Sequence, residues 1–331
     1  MGTMPGKISS GLRALLPWAI SAGLLAYAFG WATDWQRLVE ATERADLPWF
    51  IAFATCDRLA FFVIWTLLSA AALRRFVMPV PVRSVFAVRG GSELGRVVSN
   101  PLADGAFLVG ILQLAGGRME AIVAAAFVPA IAHLSVMLLQ MTVALPFLDG
   151  GPALNRDVYV AAAVLWAAAG ALVVFANRLR RGEPRAGALE PLQHWLQRFP
   201  PRTLLPFIAG FGVLAVFDVQ IQWLASRAFG VPIEWTALLA RLPLVYFSFT
   251  IPTLGNFGTR EVAWATLFSD YGEHDALIAY AFSVNAIFLI LNGLLGMLFL
   301  RRALALIREV RETRRTGGKL PHPFFPDPTD P

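Results

Sequence analysis

Residues Ile251–Trp264 read "IPTLGNFGTREVAW": a proline, two glycines, an asparagine and an Arg-Glu pair set between two apolar runs. The chain around them is 331 residues long and 57% hydrophobic, with a mean hydropathy of +0.60. Apolar runs of about 20 residues recur along it, the signature of a polytopic membrane protein rather than a soluble globule. Lipid cannot hydrogen-bond a broken backbone, so a Pro/Gly/Asn break at membrane depth must be buried in protein or line a wet cavity. Ordinary turns and caps at the membrane surface are the competing reading, since the same residues mark turns anywhere.

Six runs are long enough to cross a hydrocarbon core of about 30 Å: 14–33, 48–73, 119–147, 157–177, 203–229 and 275–300. The first follows Lys7 and Arg13 and carries a weak A-x-A at Ala26–Ala28. Its length, with further spans behind it, favours an anchor over a cleaved signal. Two more segments, 80–117 and 235–269, are apolar but interrupted. Loop charge orients the whole. The stretch 74–89 holds Arg74, Arg75, Arg83 and Arg89 with no acid, 178–202 holds six arginines against Glu183 and Glu190, and 301–319 is basic. All three read as cytoplasmic by the positive-inside rule, whereas 34–46, 149–157 and 270–275 are acid-rich and read as external. With both termini inside, each interrupted segment must return to its own side. The expected fold is therefore all-α, with about six transmembrane helices and two re-entrant helical hairpins inserted from opposite faces in an inverted-repeat-like arrangement. The first hairpin is expected to turn at Ser99–Gly105 ("SNPLADG") and the second at Pro252–Gly258 ("PTLGNFG"). The residues 235–252 could alternatively cross with tilt, at about 27 Å if helical.

This divides the chain into a cytoplasmic tail (1–13), a first membrane half (14–177), a basic connector (178–202), a second membrane half (203–300) and a basic, Pro-rich cytoplasmic tail (301–331). Paired discontinuous helices point to a transport site near the midplane. The break after Asn256 would also expose helix N-terminal N–H groups to an anion.

Several charges sit where lipid would penalise them. Asp57 and Arg58 fall near the middle of the second run, at about 2.5 to 3.5 kcal/mol each. They are expected to face inward, either as a structural ion pair or in contact with substrate. Asp218 poses the same question in the second half, where its functional reading is a proton-coupling carboxylate, and Arg241 lies in the interrupted segment 235–269. Arg89, Glu93 and Arg96 share one helical face by their i, i+4 and i, i+3 spacing. That helix reads either as an anchor in the headgroup layer or as a source of guanidinium forks for a lipid phosphate. Asn285 and Asn292, seven apart beside Gly293 and Gly296, read as helix packing.

The net charge of +6 is explained by anchoring arginines beside apolar runs, not by nucleic-acid binding. Four scattered histidines and a lone cysteine, Cys56, offer no metal-binding spacing and no internal disulfide, so no metal and no cofactor is expected. Cys56 reads as a small buried side chain.

The stretch "IPTLGNFGTREVAWATLFSDYGEHDAL" resembles the C-terminal signature of the lysylphosphatidylglycerol synthase transmembrane-region family of flippase-like proteins, a pattern close to P-x-x-x-G-G-x-G-x-R-E-x-A. Pro252, Gly255, Gly258, Arg260, Glu261 and Ala263 match, and Asn256 stands in place of the second glycine. Upstream, "ELGRVVSNPLADGAFLVG" is similar to the first motif in Gly95, Arg96, Asn100 and Gly105. It departs from the family in lacking Gly-Glu-x-x-Arg after the turn and the later Glu-Arg pair, where "VPAIAHL" stands instead. The resemblance implies a bacterial inner-membrane protein that handles polar lipids or lipid-linked intermediates. Lysine transfer in the synthases belongs to a separate soluble domain, which this sequence does not show. The expected function is transport or flipping of a polar, anionic lipid, with Arg96, Asn100, Asp104, Gly105, Pro252, Gly255, Asn256, Gly258, Arg260 and Glu261 forming the site. The alternative is a membrane-embedded transferase acting on a headgroup or lipid-linked sugar, with Asp57, Asp218 or Glu261 as base, although no donor-nucleotide motif supports it. A scaffold leaves no chemical signature and stays open. A homo-oligomer or a separate synthase partner is compatible with the layout.

Overall fold

The computed structural model describes residues 35–115, 119–148, 151–182, 193, 196–197, 201–249, 253 and 256–315. The expected first span and the N-terminal tail lie outside these residues, as do Pro252 and Gly255. The described residues are helical, with no strands among them. In chain order they form α1 (Trp35–Arg44), α2 (Leu47–Phe76), α3 (Val82–Arg96) and α4 (Asn100–Leu114). Helix α5 runs through Met119–Ile122, a π-helical stretch at Val123–Phe127 and Val128–Ala144. Then come α6 (Pro152–Arg181), α7 (Leu205–Ala228), α8 (Trp235–Ser248), α9 (Thr259–Leu267) and α10 (His274–Arg315).

Five of these elements, α2, α5, α6, α7 and α10, are long and apolar enough to cross a membrane. They match five of the six expected spans. Helix α6 presents Val160, Val164, Leu172, Val173, Val174 and Phe175 outward, a surface that only lipid or another apolar partner can cover. Helix α10 covers the expected last span and continues past it. It runs unbroken for 42 residues, about 63 Å at 1.5 Å per residue, so the basic stretch 301–315 continues the spanning helix instead of forming a separate one. Its far end is held by burial of Ala303, Leu306 and Val310. Cys56 is also corrected: it faces outward on α2.

The two interrupted segments are helix–break–helix units. At 15, 15, 14 and 9 residues, α3, α4, α8 and α9 reach about 14 to 22 Å, short of a 30 Å core. Helix α8 stops at Ser248 with Pro243 inside it, so it reaches about 21 Å, shorter than the about 27 Å reckoned for a helix over the whole of 235–252. The first break differs from expectation. It lies at Val97–Ser99, and Asn100–Gly105 is already helix. The reason is local: Ser99 accepts a hydrogen bond from Leu102 N–H at 3.3 Å, and Pro101 occupies the first turn, where its missing N–H costs nothing.

Each unit's first arm packs on a long helix of the other half, α3 on α10 and α8 on α5, and α2 lies along α7. Small residues permit the closest of these contacts. A Cβ on Gly296 would come within 2.7 Å of Leu94 backbone, and one on Gly90 within 2.4 Å of the Phe299 ring. Arg89 and Glu93 of α3 are buried, so this helix does not present them to solvent. An aromatic core of Phe50, Phe229, Trp264, Phe268 and Tyr280 fixes α2, α7, α9 and α10 together.

Candidate functional site

The two breaks meet. Asn100, the first residue of α4, donates through Nδ2 to Asn256 Oδ1 at 2.8 Å, joining two points 156 residues apart. Asn256 holds φ of 64°, a left-handed conformation that asparagine tolerates better than other side-chain-bearing residues. Gly258 follows with φ of 87° and ψ of −53°, a geometry in which a Cβ would be strained. Thr259 Oγ1 donates to Asn256 O at 3.0 Å and completes the turn.

Glu261 sits one turn inside α9, and its Oε2 accepts the Gly258 N–H at 2.6 Å. It therefore caps its own helix. This corrects the expectation that the α9 N-terminus offers that N–H to an anion, and it gives Glu261 a structural role. Gly105 is exposed on α4 with nothing near its Cα face, away from the cavity described next.

Around the Asn100–Asn256 bond lies a cavity of about 260 Å³, walled by residues that include Arg58, Arg89, Glu93, Arg96, Asp104, Arg260, Asn285 and Asn292, with Phe61, Trp65, Phe249 and Phe288 as its apolar side. Four guanidinium groups thus face two carboxylates, and the wall is cationic. Glu93, 1% exposed, is the hub. It accepts from Arg58 Nη2 and from Arg96 Nε at 2.8 Å, and pairs with Arg89 Nε at 3.3 Å. Burial pushes the Glu93 carboxyl up, but the guanidinium groups of Arg96, Arg58 and Arg89 outweigh it and hold it below its ordinary range. Arg58 also donates through Nε to Asn292 Oδ1 at 2.6 Å. Arg96 reaches Asn100 Oδ1 at 2.8 Å and Asp104 Oδ1 at 2.9 Å, and Arg89 Nη1 reaches the same Asp104 oxygen at 3.2 Å.

Arg260 is different. It is 1% exposed, its guanidinium lies 4.8 Å from the Phe288 ring centre and 5.4 Å from that of Phe249, and its Nε has no hydrogen-bond partner among the described residues. Guanidinium nitrogens are donors only, and buried donors left unmatched are rare in native proteins.

Asp57 and Arg58 both point inward, as their cost in lipid requires, but they do not pair with each other. Asp57 accepts from Gln222 Nε2 at 3.0 Å on α7, while Arg58 turns to α3 and α10. Asp218 accepts from Tyr246 Oη at 2.6 Å. Arg241 leaves the cavity altogether: it grips Asp270 through two bonds of 2.6 and 2.9 Å and Leu267 O at 2.8 Å, tying α8 to the end of α9. Of the sequence-derived candidates, the cavity gathers Arg96, Asn100, Asp104, Asn256 and Arg260, together with Arg58, Arg89 and Glu93. Sequence reasoning missed Tyr246 and took Asn285 and Asn292 for packing residues. The seven-residue spacing of the asparagines gave their shared face but not the arginine opposite.

The sequence profile described as "Lysylphosphatidylglycerol synthase TM region" matches residues 15–296. The chain belongs to that family. As a member of it, with five helices suited to crossing a bilayer, the protein is a multi-pass membrane protein linked to membrane lipids. No curated protein and no solved structure matches the chain. The family assignment agrees with the resemblance read from Gly258-Thr259-Arg260-Glu261, and the structure gives that motif its physical content. The glycine supplies the positive φ, the glutamate caps the helix it opens, and the arginine is carried into the cavity.

Proposed function

We propose that this protein moves a polar lipid with an anionic headgroup between the leaflets of a membrane, and that the helix–break–helix units are re-entrant hairpins of an inverted repeat meeting at the headgroup site. The observation that carries this is Arg260. A buried guanidinium with an unmatched Nε, set in a cationic cavity between two helix breaks, is a donor waiting for an anion. Arg96 and Arg89, already held by Glu93 and Asp104, supply the surrounding positive field and keep its geometry fixed. A phosphate oxygen at Arg260 would gain a charge-assisted hydrogen bond, about 1.5 to 3 kcal/mol. The rings of Phe61, Trp65, Phe249 and Phe288 offer an apolar border along which the acyl chains can stay in lipid while the headgroup crosses.

The test is reconstitution of the full chain in vesicles with fluorescent phosphatidylglycerol, phosphatidic acid and phosphatidylcholine, following dithionite-accessible label. Protein-dependent movement of the anionic lipids is expected, and the Arg260→Gln variant should slow it by at least about tenfold, the value of one such bond. Unchanged lipid masses after the assay are expected for transport, whereas altered masses would favour headgroup transfer. Absence of protein-dependent movement for every headgroup would refute the proposal.

A further inference from the structure

Behind the arginine cavity lies a second polar cluster that lipid binding does not use. Asp57 on α2 and Asp218 on α7 are 1% and 2% exposed. Gln222 stands four residues after Asp218, on the same face of α7, and donates to Asp57 Oδ2 at 3.0 Å. That bond brings the two carboxyls beside each other, and they interact directly. Tyr246 from α8 donates to Asp218 Oδ2, and Tyr280 from α10 donates to Gln222 Oε1, each at 2.6 Å. The positive charge of Arg260 on α9 acts on both acids. Helix α5 contributes His133, which sits among the rings of Phe61, Trp65 and Phe211, and Arg58 is turned to Glu93 on the other side.

After these bonds, Asp57 Oδ1 and Asp218 Oδ1 have no donor among the described residues, and Arg260 Nε has no acceptor. Two ionised carboxylates side by side in a buried site repel each other, and neither can donate. A single proton between them supplies the missing donor and leaves one negative charge for Arg260 to oppose. We propose that Asp57 and Asp218 form a proton-binding pair linked through Arg260 to the arginine cavity. The pair holds one proton when the cavity is empty and takes up a second from bulk solvent when an anion engages Arg260. An anion shares the positive charge of Arg260, so the remaining carboxylate loses its counter-charge and binds a proton. One negative and one positive charge then enter together. By linkage, protons tighten the anion to the same degree that the anion tightens the proton. This inference rests on the lipid-site proposal above and adds a coupling ion to it.

The experiment uses the full chain in nanodiscs of phosphatidylcholine, with dioctanoyl phosphatidylglycerol as probe, because its phosphodiester does not itself titrate near neutral pH. Calorimetric titration in buffers of different ionisation enthalpy reads both the Kd and the protons exchanged. Uptake approaching one proton per lipid is expected, with a Kd tightening by up to about tenfold for each unit of pH lowered through the titration range. The double variant Asp57→Asn, Asp218→Asn should keep a measurable Kd that no longer depends on pH and should take up no proton. Probe binding without uptake and without pH dependence would overturn the proton link while leaving the lipid site standing. Failure of the unaltered protein to bind the probe would sink both proposals, and uptake that persists in the double asparagine variant would place the proton elsewhere and overturn this one. Should the double variant not fold, infrared difference spectra of the unaltered protein decide: a protonated-carboxyl band must grow on probe addition, and its constancy refutes the pair.

Discussion

Replacing Glu93 by glutamine removes one negative charge from among three guanidinium groups and changes little else in shape. Arg58, Arg89 and Arg96 all converge on this carboxylate, which is 1% exposed, and Arg58 and Arg89 are themselves 7% and 8% exposed. Only Arg89 and Arg96 keep a second carboxylate, Asp104. Breaking a buried ion pair by removing one partner costs about 3 to 5 kcal/mol, because the other charge is left behind uncompensated. Here Arg58 retains only the Asn292 amide oxygen, so a loss at that scale is expected in thermal unfolding of the detergent-solubilised protein. The double variant Glu93→Gln, Arg58→Met should recover about 0.5 to 3 kcal/mol relative to the sum of the single changes, the range measured for directly coupled residues. The pH dependence carries a defined sign. Glu93 is held below its ordinary value of 4.5, so its contribution is complete above that value and is lost as acidification passes through the lower, folded-state pKa. The glutamine variant should lack that acid-side decline. Equal stability of Glu93→Gln and the unaltered protein, within about 0.5 kcal/mol, would refute the hub.

Further outcomes follow from single contacts. Gly296→Ala places a Cβ 2.7 Å from the Leu94 backbone and should force α3 from α10, seen as loss of monodisperse protein on size-exclusion chromatography; Gly293→Ala, whose Cβ has its nearest contact at 3.9 Å, should be tolerated. Asn256→Gly keeps access to positive φ but deletes the bond to Asn100, so it should fold normally and transport more slowly, whereas Asn256→Ala should also lose about 1 to 2 kcal/mol of stability in unfolding measurements. Arg241→Lys cannot reproduce the two-pronged grip on Asp270 and should destabilise by about 1 to 3 kcal/mol without changing the anion Kd, because Arg241 lies outside the cavity.

The parts of this fold that were legible in the sequence are those governed by local chemistry. Apolar length announced the five described spans, and Pro, Gly and Asn announced two breaks. The position of the first break was misread because Pro101 and Gly105 look like a turn, whereas Ser99 caps a helix that accepts both. The full length of α10 was not legible, because its arginines suggested an exit from the membrane, which a helix can make without ending. What sequence could not show was partnership across the chain. Periodicity placed Arg89, Glu93 and Arg96 on one face and Asn285 and Asn292 on another, but it carries no register between helices. Arg58 meets Glu93 across 35 positions and Asn292 across 234, and those distances are set by glycine-mediated packing of α3 on α10.

The pattern of satisfied and unsatisfied groups argues for a ligand site more strongly than the count of charges does. A protein needing only stability would replace a buried ionic cluster by apolar side chains of similar volume, a change that is often neutral or stabilising. Here the cluster divides in two. Around Glu93 three guanidinium groups pair with the carboxylate and hold a rigid frame, while at the meeting of α2, α7 and α9 one guanidinium nitrogen and two carboxylate oxygens have no hydrogen-bond partner among the described residues. Unmatched groups of this kind cost about 1 to 3 kcal/mol each when buried, and Arg260 borders both the cavity and the acid pair. An arginine so placed feels any anion on one side and any proton on the other, which is the minimum arrangement for making one depend on the other. Measuring anion affinity in Arg260→Lys separates charge from geometry. A lysine retains the positive field but not the planar fork, so proton uptake per bound lipid should survive while the affinity falls; loss of both in a folded Arg260→Lys variant would show that the link runs through the hydrogen-bond geometry instead of the charge.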